Sequence, residues 1–316
     1  MFLDKHQVDA LIGYDDVLNA VREAFVLQSR GDARAFPVVR ERLATGAIFG
    51  IKSGDVESQG LLGFKAAGFW PGNRRLGGEP HQATVVLIDS RTGRPLCIVD
   101  GNTITTMRTA AAGGIGLLQL ARPESARMCV FGTGVQAQAH LTLALRLMPS
   151  IRQVRYVTRS GERNSSFEAC FAGRCAIAQA LDGNAAVADS DVVITATPGA
   201  GPLFEAAAVQ PGTHFNCVGA DTKGKRELPE GMLEHARLFV DDRVQARQIG
   251  ESQWAVDRPS TELGELLDGS NRVNRQATDV TVFDLTGLAL QDLIVARLLH
   301  ERAAARGIGG RIPWPW

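Results

Sequence analysis

The chain has 316 residues and is short of several things. It has no surplus charge of either sign, with Lys and Arg totalling 34 and Asp and Glu 34. That balance removes any electrostatic argument for nucleic acid or an acidic membrane as partner. No apolar run approaches the length of a membrane span, and no repeat or low-complexity tract interrupts the chain. Cysteine is sparse and odd in number, at positions 97, 129, 170, 175 and 217, and three of these lie in or beside apolar runs. The pattern reads as reduced thiols in a cytoplasmic protein. Cys170 and Cys175 have no matching second pair, so no metal site is expected. The opening MFLDKHQVDALIGYDD has early charges and no long apolar core, and a signal peptide is not expected there. What remains is a length suited to one large or two medium domains, each able to build a core.

One stretch organises the rest. Met128 to Phe131 favours a strand and leads into Gly132-Thr133-Gly134-Val135-Gln136-Ala137. A helical pattern follows, with Val135, Leu141, Ala144 and Leu145 at helical spacing, and Val154 to Thr158 reads as a second strand. Strand, glycine turn, helix and strand within about thirty residues is a dinucleotide fingerprint in its required context. Gly132 permits the tight turn, Gly134 lets the backbone approach a pyrophosphate, and Ala137 keeps helix and strand close. The helix N-terminus offers unpaired N–H groups to the anion. After the second strand an acidic residue would bond the ribose of NAD; this chain has Thr158-Arg159-Ser160 instead. A guanidinium at Arg159 suits a 2′-phosphate, and a solvated surface arginine is the alternative. The expected cofactor is NAD(P)H, with NADPH favoured by Arg159.

The first hundred residues read differently. Asp15 and Asp16 can open a helix with Val17, Val21, Ala24 and Phe25 on one stripe. Strands are expected over residues 36–43, in which Arg40 interrupts apolar residues, over 47–52, and over 61–69. Gln82 to Ile88 and Leu96 to Val99 flank a hairpin turn. A helix plus a mostly antiparallel sheet is the reading. Asp100-Gly101-Asn102 then introduces a helix to about Leu120, with Ile104, Met107, Ala111, Ala112, Ile115 and Leu118 on its buried side. Arg108 lies inside that stripe. A buried guanidinium needs a partner, which is either a structural carboxylate elsewhere in the fold or a substrate carboxylate.

Beyond the fingerprint, residues 191–197 and 214–218 read as further strands of a parallel sheet, followed by short strands at 238–241 and 281–284. Ligands of such sheets sit beyond the strand C-termini. Thr195, Thr197 and Pro198 end one strand, and Gly219-Ala220-Asp221 ends the next. Asp221 is thereby placed near a nicotinamide, or it serves as a turn or cap residue. The last helix, from Leu288 to about Ala305, is apolar enough to be buried and to return to the first domain.

The ordered motifs resemble the ornithine cyclodeaminase/mu-crystallin family of nicotinamide-dependent enzymes along nearly the whole length. They are Pro37-Val38-Val39-Arg40, Gly63-Phe64-Lys65, His81-Gln82, and Asp100-Gly101-Asn102-x-Ile104-Thr105-x-x-Arg108-Thr109-Ala110-Ala111. Gly132-x-Gly134-x-Gln136-Ala137-x-x-His140 and Val218-Gly219-Ala220-Asp221 complete the set. The resemblance implies a homodimer built through the first domain, with the active site in the cleft between domains. It matches Arg40, Lys65 and Arg108 to positions that hold a substrate α-carboxylate or lie beside its reacting carbon. Asp221 matches an acidic residue handling substrate or water protons. Gly50-Ile51-Lys52-Ser53-Gly54, Phe36-Pro37-Val38-Val39-Arg40-Glu41, Asp221-Thr222-Lys223-Gly224-Lys225 and Gly250-Glu251-Ser252-Gln253 resemble the iminosuccinate reductase branch.

The expected architecture is α/β, a Rossmann dinucleotide-binding domain over residues 116–288 plus an α+β substrate-binding and dimerisation domain over 1–115 and 289–316. Lys65 and Asp221 are the expected catalytic pair, with Arg40, Lys52, Lys65 and Arg108 binding substrate. The cofactor set is Thr109, Gly132, Gly134, Val135, Gln136, Arg159, Thr195, Ala196, Thr197, Val218, Gly219 and Gly287. Lys52 would add a cation to a pocket already holding three, and a second, distal carboxylate on the substrate would account for the surplus; the alternative is that Lys52 points into solvent. The expected reaction is reduction of a small α-imino acid, iminosuccinate to aspartate in the first instance. Alternatives are an ornithine-type cyclodeaminase, a cyclic ketimine reductase, or a non-enzymatic binding role.

Overall fold

The computed structural model describes residues 1–199 and 201–314. The chain divides into two compact units, one of Met1–Arg108 with the segment from Leu288 onward, the other Thr109–Gly287.

In the first unit the order is β1 (Phe2–Leu3), α1 (Lys5–Leu11), α2 (Tyr14–Ser29), β2 (Arg34–Ala35), β3 (Val39–Arg42), β4 (Ile48–Val56), β5 (Leu61–Phe69), β6 (His81–Asp89) and β7 (Pro95–Asp100). α3 (Gly101–Leu120) follows. The sheet runs β1-β7-β6-β5-β4-β2, with β3 also paired to β4. All pairings are antiparallel except β1 with β7. α2 starts where Asp16 accepts a hydrogen bond from Gly13 N at 3.0 Å, and acidic residues there suit the positive end of the helix. Its expected stripe of Val17, Val21, Ala24 and Phe25 is buried. The strand expected over 36–43 shrinks to β3, because Pro37 has no N–H to give a ladder. α1, β1 and β2 are too short to leave a periodic signal.

In the second unit β8 (Arg127–Phe131), α4 (Val135–Leu147), β9 (Gln153–Val157), α5 (Ser165–Ala169), β10 (Ala176–Gln179), α6 (Gly183–Ala188), β11 (Val192–Thr195) and β12 (His214–Cys217) come first. α7 (Met232–His235), β13 (Arg237–Val240), α8 (Arg243–Ile249), β14 (Ser260–Glu262), α9 (Leu263–Leu267) and β15 (Thr281–Asp284) complete it. The sheet is parallel throughout, in the order β10-β9-β8-β11-β12-β15-β13-β14. The first six strands reproduce the doubly wound order, reversing direction at β8. β8, β11, β12 and β15 are buried almost without break, as a parallel sheet covered on both faces requires.

α10 (Ala289–Arg306) returns to the first unit. It packs on α2 and across β4, β5 and β6, and Leu290, Leu293, Ile294 and Val295 are buried. Gly54 and Gly63 admit it: a Cβ at either would meet Leu290 or Leu293. One expectation fails in α3. Leu118 is 48% exposed while Leu117 is buried. The helix is buried all round from Arg108 to Leu117, so no single apolar stripe describes it.

Candidate active site and dinucleotide cradle

The sheet of the first unit gathers cations on the face that α10 covers. Directly opposed residues of an antiparallel pair share a face. Lys52 stands opposite Lys65, and Arg40 opposite Gly50, two residues before Lys52. Gly50 leaves room for the Arg40 side chain, which a Cβ there would crowd. Lys52 is half-buried and lies on the Lys65 face of the sheet.

Lys65 is 4% exposed. Its ammonium pairs with Asp292 Oδ2 at 2.7 Å and donates to Thr105 Oγ1 at 3.2 Å. Arg108, from the turn of α3 after Thr105, donates through Nε to Asp292 Oδ1 at 3.2 Å and through Nη1 to Gln291 Oε1 at 3.3 Å. Asp292 is fully buried and bridges both cations. Burial pushes the Lys65 ammonium down to about 7, helped by Arg108 and Lys52 and opposed by Asp292. Burial alone would raise the Asp292 carboxyl, but Arg108 and Lys65 hold it below the usual carboxylate value. His81, at the start of β6, is pushed below its ordinary value by burial and then by the Lys65 charge.

Of the two partners considered for Arg108, the structural carboxylate is present in Asp292. Asp292 thus ties together two of the cations gathered here, Lys65 and Arg108. Asp292, Gln291 and Thr105 were missed by the sequence reading. The available signal was Asp292 itself, a charged residue inside the apolar run from Leu288 to Val295, where an acid requires a buried partner.

In the second unit the fingerprint turn has the geometry its residues require. Gly132 sits at φ +98°, and a Cβ there would press on the Ala196 carbonyl. Gly134 caps α4, and a Cβ on it would meet nothing within 4 Å. That open space lies at the N-terminus of a 13-residue helix, where N–H groups receive an anion. Ala137 is buried. Gln136 carries a buried Oε1 without a hydrogen-bond partner among the described residues. Val135, counted with the apolar positions of the helix, is 62% exposed at this open turn. These residues fit a dinucleotide pyrophosphate.

Arg159 is exposed just past β9. Thr109 is buried in α3. Thr195 ends β11 in register with Cys217 at the end of β12, and Cys217 with Asp284 at the end of β15. Ala196, Thr197, Val218 and Gly219 therefore emerge side by side at the carboxyl edge of the sheet. Gly287 follows β15, its N–H held by Asp241. Asp221 is half-buried on the loop after β12. Its Oδ1 pairs with Lys225 Nζ at 2.8 Å and accepts from Thr222 Oγ1 at 3.1 Å, the local partners a turn residue has. Among the described residues no group of three metal-ligating side chains occurs, and no helix is long and apolar enough to cross a membrane.

A family model described as ornithine cyclodeaminase/mu-crystallin matches residues 1–307. The chain belongs to that family. Within it, alanine dehydrogenase of Archaeoglobus fulgidus is 33% identical over 99% of this chain and 98% of its own length. Iminosuccinate reductase of Paracoccus denitrificans is 31% identical over 97% of each. The solved structure of that reductase in complex with NAD+ matches with a TM-score of 0.89 at 32% identity, covering 97% of both chains. An archaeal alanine dehydrogenase dimer with bound NAD matches at 0.92, with 32% identity over 99% of both chains. The expected family and α/β fold class agree with these matches. These ornithine cyclodeaminase/mu-crystallin relatives are nicotinamide-dependent oxidoreductases acting at carbon–nitrogen bonds.

Proposed function

We propose that this family member is an NAD(P)H-dependent reductase of a small α-imino acid, with iminosuccinate as substrate and L-aspartate as product. The observation that carries the reading is the gathering of cations on one sheet face, where Arg40, Lys52 and Lys65 lie together and Asp292 joins Lys65 to Arg108. A dicarboxylic imine brings two carboxylates to these four cations, while the distal ammonium of ornithine would be repelled. In this reading the first unit binds substrate and the second binds the dinucleotide.

Bound nicotinamide supplies the hydride, and the chain supplies orientation and charge. Arg108 and Arg40 hold the α-carboxylate, which removes much of the entropic barrier to a two-body reaction. Lys52 receives the distal carboxylate. Lys65 protonates the imine nitrogen as the C=N electron pair moves onto it; an ammonium close to half-titrated at neutral pH exchanges protons readily. Asp221 relays the proton or holds the new ammonium group. Thr109, Gly132, Gly134, Val135 and Gln136, with Thr195, Ala196, Thr197, Val218, Gly219 and Gly287, form the cofactor cradle. Arg159 favours a 2′-phosphate without preventing NADH from binding. The sheet face opposite the cations carries half-buried Ile51, Phe64, Val86 and Ile98, an apolar surface suited to a second copy in a homodimer.

The test is oxidation of NADH and NADPH by the purified protein with oxaloacetate or pyruvate plus ammonia, and with cyclic ketimines, beside ammonia release from ornithine. Turnover with oxaloacetate plus ammonia, reduced about tenfold or more in Lys52→Ala while pyruvate turnover is unchanged, supports the dicarboxylate reading. Turnover confined to cyclic ketimines, or ornithine consumption without net cofactor oxidation, overturns it.

A further inference from the structure

Three buried acids in the second unit are linked in series at the carboxyl edge of the parallel sheet. Asp284, the last residue of β15, accepts from Glu251 N at 3.0 Å, Ser252 N at 2.8 Å and Ser252 Oγ at 2.7 Å. The Glu251 carboxylate in turn accepts from Glu227 N at 2.6 Å and Leu228 N at 3.3 Å. Glu227, fully buried, aims its carboxylate at the loops that leave β11 and β12. Oε1 accepts from Thr197 N at 2.9 Å and Thr197 Oγ1 at 2.6 Å, and Oε2 accepts from Gly219 N at 2.9 Å. The junction is tight enough that a Cβ on Gly219 would meet both the Thr197 carbonyl and this carboxylate.

The place of this clamp in the sheet gives it a direction. β9 and β10 lie on one side of β8, β11 and β12 on the other. In a doubly wound sheet the adenosine belongs to the β9 side and the second nucleotide to the β11 and β12 side. Among the described residues the Glu227 carboxylate therefore joins loops of the nicotinamide half, while the Gly132–Ala137 turn makes no hydrogen bond to it. We infer that Glu227 is the positioning residue of the nicotinamide half of the cradle, joining the Thr197 and Gly219 loops into one surface. The inference rests on the dinucleotide reading above and adds to it a residue that touches neither cofactor nor substrate.

An amide in place of the carboxylate keeps one acceptor oxygen and turns its NH2 against a backbone N–H. In Glu227→Gln the affinity for NADH, measured by fluorescence titration, is expected to fall about tenfold or more. The affinity for ADP-ribose, which lacks the nicotinamide, stays within about twofold of wild type. Thr197→Val, which removes one hydroxyl donor, reproduces the selective loss in smaller measure and decides the matter should Glu227→Gln not fold. Parallel weakening of NADH and ADP-ribose, or no weakening of either, overturns the inference. Wild-type protein that binds neither NADH nor NADPH overturns the proposed function, and this inference with it.

Discussion

Replacing Asp292 by Asn tests the electrostatics of the cationic face. The substitution keeps the shape and an Oδ1 acceptor for Arg108 Nε while removing the negative charge shared by Lys65 and Arg108. Asp292 is the group that raises the Lys65 ammonium against burial, Arg108 and Lys52. An opposite charge at such a distance is worth about one to three pH units. Lys65, now near 7, should titrate that much lower in the variant, with His81, Arg40, Lys52 and Arg108 still around it. In the proposed mechanism Lys65 gives its proton in the reductive direction, so the rate is expected to fall as pH rises through its pKa. The alkaline limb of kcat/KM against pH should therefore move to acid by about one to three pH units, with a rate at neutral pH lower by about fivefold for one unit and about fiftyfold for two, and recovery in acid. Removing one partner of a buried ion pair also destabilises the fold by about 3–5 kcal/mol, which a denaturant midpoint reads separately. Asp292→Glu restores the charge and should return the limb toward its wild-type position. An unmoved limb in a folded Asp292→Asn protein refutes the role of Lys65 as proton donor under Asp292.

Burial lifts the Glu251 carboxyl to about 8 and the Asp284 carboxyl to about 7. From the ordinary carboxyl range up to those values the folded chain keeps protons that the unfolded chain has released, so stability falls as pH rises across that window. Lys65, lowered by burial, contributes an opposing rise only above about 7. Glu251→Gln keeps an acceptor oxygen for Glu227 N and Leu228 N and should flatten the fall, read as melting temperature in buffers from about pH 5 to neutrality. Gly132→Ala puts a side chain at φ +98° against the Ala196 carbonyl; a stability loss of about 1–3 kcal/mol and weaker binding of NADH and ADP-ribose alike are expected. Unchanged affinity for both would show that this turn does not carry the pyrophosphate.

What the sequence by itself determined was local. The Gly132–Ala137 turn, the strands before and after it, and the helix it opens lie within one short stretch, and their chemistry depends on neighbours in the chain. The same holds for β5, for the hairpin of β6 and β7, and for the stripe of α2, because alternation and helical spacing record which side of an element meets the core. Even so, spacing assigned Leu118 to the wrong side of α3, since a helix surrounded on every side carries no single stripe to read. The contacts that only the tertiary structure decided join residues far apart in the chain. Arg108 and Asp292 are 184 residues apart, and no local pattern selects that acid among the others. The pairing of Lys52 with Lys65 depends on strand register, which one slipped residue would reverse. Asp284, Glu251 and Glu227 join through backbone N–H groups, which every sequence supplies alike. Their order in space comes from the parallel sheet that brings the strand ends together.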